Sequence, residues 1–166
     1  ITAASIMETS FLKIHGDRPF REAISMLIHL PQGAEAPLML VVLDPDQDGN
    51  YLGYLTARLL FKSLLDQWSP SLADRKDGSI SEKSFLENFE GRLDSPVSDA
   101  LTPNLPSVRR DVRILNMIQL VVSSKLEVLP VIEDGVICGV VTLKSIYLAA
   151  AGLALTSETQ GIRFPE

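Results

Sequence analysis

What most constrains this chain is that it is written twice. Displaced by 94 residues, Ser5-Ile6-Met7 falls on Asp99-Ala100-Leu101, and Asp17 on Asp111. Phe20, Ile24, Leu27 and Ile28 then fall on Ile114, Ile118, Val121 and Val122. Those positions follow i, i+4, i+7, i+8, the apolar stripe of an amphipathic helix. Asp17 and Asp111 stand just ahead of each stripe, where a carboxylate can accept from free helix N–H groups. The offset then drops to 89, laying Met39–Leu43 over Val128–Ile132. Both runs read as short strands buried on two faces. Past an acidic turn the offset is 86: Gly49 meets Gly135, Gly53 meets Gly139, Thr56 meets Thr142, and Leu60-Phe61 meet Ile146-Tyr147. The first copy is longer by five residues around PQGAE and by three within DPDQDG. Both insertions fall in predicted loops, where two copies of one fold should differ.

Each copy is therefore predicted to run strand, helix, strand, tight turn, strand, helix. A unit of that size closes no core by itself, so the two copies should pack against one another. Residues 1–68 form the first copy, 97–155 the second, and 156–166 an aperiodic tail. The connector, 69–96, opens polar and turn-like, and its SEKSFLENFEGRL stretch predicts a short helix. Ser81 and Ser84 are candidate caps there, Phe85 and Phe89 lie four apart, and Gly91 can end it.

Several functions are excluded or weakened at this stage. The net charge of −6, with no basic cluster beyond Arg109-Arg110, disfavours nucleic acid. Cys138 is the only cysteine, so no internal disulfide forms and an intracellular, cytoplasmic protein is expected. The chain opens at Ile1 without Met or signal peptide and reads as a piece of a longer protein. Val136–Leu155 has the length of a membrane span, but Lys144 and Ser145 near its middle favour a strand running into a helix, with no membrane insertion. His15, His29 and Cys138 have no metal-ligand spacing. No nucleophile motif or glycine-rich phosphate loop is present, so no enzyme is expected. DPDQDG opens like a calcium loop, yet its second position is Pro45, and Leu55 stands at the twelfth, where a bidentate Glu is required. Against the second copy, Asp48-Gly49 matches the hairpin pair Asp134-Gly135, and the stretch reads as a lengthened hairpin.

The stretch LEVLPVIEDGVICGVVTLKSIYLAA resembles the second half of a CBS domain, and PVSDALTPNLPSVRRDVRILNMIQLVVSSK resembles its first half. Pro130-Val131, the acidic-Gly turn, Gly139 and Thr142 occur in the order and spacing of that family; in the divergent first copy Val41 stands where the proline would be. The chain thus resembles a tandem CBS pair, or Bateman module: an α/β fold of two β-α-β-β-α repeats packed as a pseudo-symmetric pair. The resemblance implies a non-catalytic regulatory module that binds AMP, ADP or ATP in clefts between repeats and controls an attached domain. It implies phosphate contacts from Thr56 and Thr142, beside the basic Arg58 and Lys144, and a sugar or phosphate contact from Thr102. Val128 and Pro130 are the implied wall for adenine. Ribose-gripping members carry an Asp where this chain has Leu59 and Ser145. Ser145 can make one hydrogen bond there, and Leu59 none. The alternative is a ligand-free dimerisation or interaction module. The apolar helices at 57–68 and 143–155 suggest a homodimer interface, unless they only cover the sheet. Trp68 is expected to pack.

Overall fold

The computed structural model describes residues 1–29, 39–47, 49–68, 75–76, 79–80 and 82–159. The elements run α1 (Ala3–Ile6), β1 (Leu12–His15), α2 (Phe20–Ile28), β2 (Met39–Leu43), β3 (Tyr51–Thr56) and α3 (Ala57–Asp66). The connector adds β4 (Arg75–Lys76), β5 (Ser79–Ile80) and α4 (Glu82–Gly91). A 3-10 turn (Val97–Ala100) leads to α5 (Ile114–Ser124), β6 (Val128–Glu133), β7 (Val136–Thr142) and α6 (Leu143–Thr159). The repeat offsets hold element by element: 94 carries Ala3–Ile6 onto Val97–Ala100 and Phe20 onto Ile114, where the two helices begin. The candidate span is strand β7 followed by α6, and no helix of the described residues is long and apolar enough to cross a membrane.

Packing divides the chain into two compact units. The β2 unit is Leu12–Leu105; the β6 unit is Ile1–Phe11 together with the chain from Pro106 onward. Each copy has thus given its opening turn to the other copy's unit. The same bonds hold both turns. Val97 N donates to Arg18 O (2.8 Å) and Ser98 N to Gly16 O (2.9 Å) in the β2 unit. Ala3 N donates to Val112 O (2.9 Å) and Ala4 N to Arg110 O (3.0 Å) in the β6 unit. Under the offset of 94 these are one pair of bonds made twice.

In the β2 unit, β1 pairs parallel with β2, and β2 antiparallel with β3. Leu40, Val42 and Leu55 form one sheet face, packed with Phe20 and Ala23 of α2, Leu60 and Leu64 of α3, and Val97 and Ala100. The connector helix covers the same core: Phe85 and Phe89 pack on it, and Trp68 meets Phe85 edge-on with centroids 5.4 Å apart. Ser84 lies inside α4, in its first turn, while Ser81 lies outside the described residues. β4 and β5 pair antiparallel, Arg75 with Ile80 and Lys76 with Ser79, within a stretch whose composition predicts turn.

In the β6 unit, β6 and β7 form a hairpin, with Val108 bridging Val131 on one side and Glu8 bridging Val140 on the other. The core joins Leu129, Val131 and Val141 with Met117, Val121, Ile146 and Ala3. The opening strand expected of this copy is reduced to the Val108 bridge. Pro130 stands where β2 has Val41, and its missing N–H removes the donor that a longer parallel partner would need.

Two helix expectations need correction. The N-caps of α2 and α5 are Pro19 and Arg113, neither with a side-chain cap bond, so Asp17 and Asp111 lie too far upstream to cap. Ile28 and Val122, at i+8 of each stripe, are 71% and 72% exposed. Leu27 and Val121, one residue earlier, still pack on their cores, so in both copies only the last position of the stripe leaves the core.

The hairpin reading of the acidic stretch rests on its twin. Asp134 (φ 51) and Gly135 (φ 79) are both left-handed, as a two-residue hairpin turn of primed type demands. In the longer copy Gly49 is also left-handed (φ 87), Asp46 N donates to Asp44 Oδ1 (2.9 Å), and Asp44 N to Asn50 O (2.8 Å). The described Asp44 thus closes the turn on itself. Asp48 lies outside the described residues.

The exchanged turn leaves no room at Gly139, where a Cβ would lie 2.7 Å from Met7 Sδ and 2.8 Å from the backbone oxygen of Glu8. Gly139→Ala should cost about 2 kcal/mol or more in chemical denaturation, the scale of forced overpacking. Gly152→Ala, in the interior of α6 with nothing within 4 Å, should gain about 0.5–1 kcal/mol.

Candidate functional site

Both candidate sites begin at a strand that becomes a helix without a loop. Thr56 ends β3 in extended conformation, and its Oγ1 accepts from Leu59 N (3.2 Å) in the first turn of α3. Thr142 ends β7, and its Oγ1 accepts from Ser145 N (3.0 Å) in the first turn of α6. The first duty of each threonine is therefore to cap a helix. Each hydroxyl still has one hydrogen to place. In the β6 unit Thr142 Oγ1 and Ser145 Oγ share a hydrogen bond (2.9 Å) in which either hydroxyl can donate. The Thr56 hydroxyl has no such neighbour, because Leu59 stands in Ser145's place and is buried.

Arg58 and Lys144 lie on the first turns of α3 and α6, both exposed. Free N–H groups and a nearby cation together favour an anion at such a junction. Val128 and Pro130 are buried in β6, paired across the hairpin with Thr142 and Val140.

Packing distributes the eight candidates unevenly. Val128, Pro130, Thr142, Lys144 and Ser145 belong to the β6 unit, while Thr56, Arg58 and Thr102 belong to the β2 unit. Thr102 thus goes with the first copy's threonine. It follows Leu101, whose side chain lies against Gly53; a Cβ there would be 3.1 Å from Leu101 Cδ2. Its counterpart under the offset of 94 is Glu8 in the β6 unit, exposed, with backbone bonds in both directions to Val140. A carboxylate there replaces a hydroxyl and works against an anion. Among the described residues no cluster of three or more His, Cys, Asp or Glu could hold a metal.

Two grooves open on the β6 unit. One, of about 700 Å³, runs along α5 between Ser107, Arg109, Asn116, Gln119 and Ser123. The other, about 280 Å³ and apolar, lies between α5 and α6, lined by Ile114, Leu115, Ile118, Ala150, Leu153 and Ala154. None of the eight candidates lines either groove.

No motif singles out Tyr54. Its side chain is fully buried, and its hydroxyl finds no hydrogen-bond partner among the described residues. Burial pushes its pKa up from 10.0 to about 12. Tyr51 is also raised, first by burial and then by repulsion from Tyr54. The one available signal was the repeat: the counterpart of Tyr54 at the offset of 86 is Val140, so a polar tip occupies a position the fold fills with a methyl-bearing side chain.

Residues 97–152 match the CBS domain family. The sequence has no match among the curated proteins. Solved structures share the fold. The cytosolic domain of the Mg2+ channel MgtE in complex with ATP is 18% identical with a TM-score of 0.62, covering 89% of this chain and 48% of that one. CBSX2 in complex with AMP is 17% identical with a TM-score of 0.64, covering 92% and 98%. A CBS-domain-containing protein from Agrobacterium tumefaciens is 19% identical with a TM-score of 0.62, covering 90% and 99%. The chain therefore spans about half the length of the channel domain and nearly all of the other two.

Thr142→Ala should lower stability by about 1 kcal/mol without any ligand, the worth of an N-cap, whereas Thr142→Ser should keep most of it. In alkaline titration the Tyr54 proton is released near pH 12 when folded and near 10 when unfolded. The native state then binds more protons than the unfolded chain, so the contribution of Tyr54 to stability should be constant below pH 10 and be lost as pH rises from 10 to 12. Phenolate absorbance followed beside circular dichroism checks this: ionisation of all three tyrosines ahead of unfolding would contradict it.

Proposed function

We propose that this CBS-domain pair is a non-catalytic regulatory module that senses an adenosine-type nucleotide, AMP, ADP or ATP, and passes occupancy to an attached domain or partner in the cytoplasm. The observation that carries the reading is the junction made twice: a threonine capping a helix, followed two residues later by an exposed cation, Thr56 with Arg58 and Thr142 with Lys144. Such a junction offers an anion hydroxyl, backbone N–H groups and a positive charge at one helix end. Val128 and Pro130 supply apolar strand surface beside Thr142 for a base, and Ser145 a hydroxyl for the sugar. Thr102 is the matching hydroxyl in the unit of Thr56. Relatives of the same fold in complex with ATP and with AMP support this choice of ligand.

A second reading has its own observation. Leu59 is buried and Ser145 is tied to Thr142, so neither helix start carries a free carboxylate for a ribose. Phe61 and Leu65 on α3, and Tyr147 and Leu148 on α6, are meanwhile exposed. Isolated apolar side chains are ordinary on a surface, but paired exposed faces on both repeats fit a homodimer through 57–68 and 143–155. On that reading the pair is a ligand-indifferent dimerisation module.

Calorimetry with AMP, ADP and ATP separates the two. The sensing reading expects saturable heat with at least one nucleotide. It also expects Lys144→Ala to weaken binding about two- to fivefold, the worth of an exposed charge pair. No heat from any of the three on folded protein sinks it. Sedimentation should give a dimer on either reading, nucleotide-dependent on the first and indifferent on the second.

A further inference from the structure

The two units differ in what lies against their paired helices. In the β6 unit the apolar groove between α5 and α6 is open among the described residues, lined by Ile114, Leu115, Ile118, Ala150, Leu153 and Ala154. The repeat identifies the same places in the β2 unit. At offsets of 94 and 86 they are Phe20, Arg21, Ile24, Leu64, Gln67 and Trp68. There the connector helix α4 and the chain leaving it engage Trp68, Phe20 and Arg21. Trp68 meets Phe85 edge-on, Phe85 stacks on Phe89 with centroids 6.4 Å apart, and both phenyls pack on the core that holds Phe20 and Leu64. Past the helix, Phe20 N donates to Ser95 O and Arg21 N to Leu93 O, both at 2.9 Å, and Arg21 Nε pairs with Asp94 Oδ1 (2.9 Å). The first of these bonds recurs in the β6 unit as Ile114 N to Ile1 O (3.2 Å). The covering helix does not recur among the described residues, and Leu115 and Leu153 stand 62% and 45% exposed. Ala150 and Ala154 deepen the groove, for they hold the places that Leu64 and Trp68 fill in the other unit.

The covered copy says what fits the open one. α4 sets Phe85 and Phe89 four residues apart, on one face of the helix, and carries Glu82, Glu87 and Glu90 against Lys83 alone. The open groove answers that charge. Arg113 precedes the groove-lining Ile114 in the chain, and both it and Arg110 are exposed with no ion pair among the described residues, in a chain whose net charge is −6. We propose that the α5–α6 groove of the β6 unit is the docking site for an acidic amphipathic helix of a partner protein, one with two aromatic side chains four residues apart. Its aromatic pair fills the groove as a helix-in-groove anchor, and its carboxylates meet Arg110 and Arg113. The site does not depend on a nucleotide. It gives the module a surface for a partner whether or not any nucleotide binds.

The test is a fluorescent peptide with the sequence of residues 82–94, EKSFLENFEGRLD, titrated with the whole protein and read by anisotropy. Saturable binding with a Kd on the order of 10–100 μM is expected, the weak end for a small interface. Leu115→Glu and Leu153→Glu change exposed positions, so the fold should persist by circular dichroism, and each should weaken binding about tenfold or more. Phe61→Glu, on α3 of the other unit, should leave it unchanged. Arg110→Ala combined with Arg113→Ala should weaken it about fivefold at low salt, and hardly at all in about 1 M salt. A peptide carrying Phe85→Ala and Phe89→Ala should not bind. No binding of the unaltered peptide up to about 1 mM overturns the proposal. Binding that survives both Leu115→Glu and Leu153→Glu overturns it too, since the peptide then sits on the β2 unit in place of α4. So does a wild-type dimer that either variant turns into a monomer in sedimentation, because a second copy of this chain then fills the groove.

Discussion

The structure depends on a pair of backbone hydrogen bonds made twice. Val97 and Ser98 donate to Arg18 and Gly16; Ala3 and Ala4 donate to Val112 and Arg110. Each pair docks the opening turn of one repeat onto the chain of the other. The turns bring Ala3 into one core and Val97 and Ala100 into the other, all of them fully buried. Neither core is complete without a segment from the far side of the sequence. The bonds join residues 79 to 109 positions apart, so much of the closure entropy must be met before either core is whole. The tight seat at Gly139, against Met7 and Glu8, follows directly.

Much of this fold was legible because duplication supplies its own control. Offsets of 94, 89 and 86 placed the helices α2 and α5, the strands β2 and β6, and both strand-to-helix threonines where the structure has them. Even the bulge recurs, between Val42 and Leu43 and again between Val131 and Ile132. The exchange was not legible, because two similar turns fit either unit equally well on pattern alone. Thr102 shows the consequence: by sequence it belongs with Thr142, and by packing with Thr56. Capping by Asp17 and Asp111 failed because a residue can stand near a helix without standing at its N-cap. The shortened opening strand could have been read from Pro130, had its missing N–H been counted against a parallel neighbour.

The candidate site was legible as residue types and illegible as duties. Thr56 and Thr142 are conspicuous in sequence, yet each spends its oxygen on a helix N–H, a task that needs no ligand. What differs between the copies is the neighbour three residues on. Ser145 shares a hydrogen bond with the threonine hydroxyl in one unit, and Leu59 can offer none in the other. Tyr54 escaped notice because its cost appears only when a partner is sought and none is found. A polar atom is unremarkable in a strand until its surroundings are known.

The exchange also makes the two units unlike as assemblies. The β2 unit is one unbroken stretch, Leu12–Leu105, and every residue of its core lies within that stretch. The β6 unit joins Ile1–Phe11 to the chain from Pro106 onward, and Glu8 and Val140 clasp the two pieces through two backbone bonds. One unit is contiguous in sequence, and the other is spliced from pieces that the first unit separates.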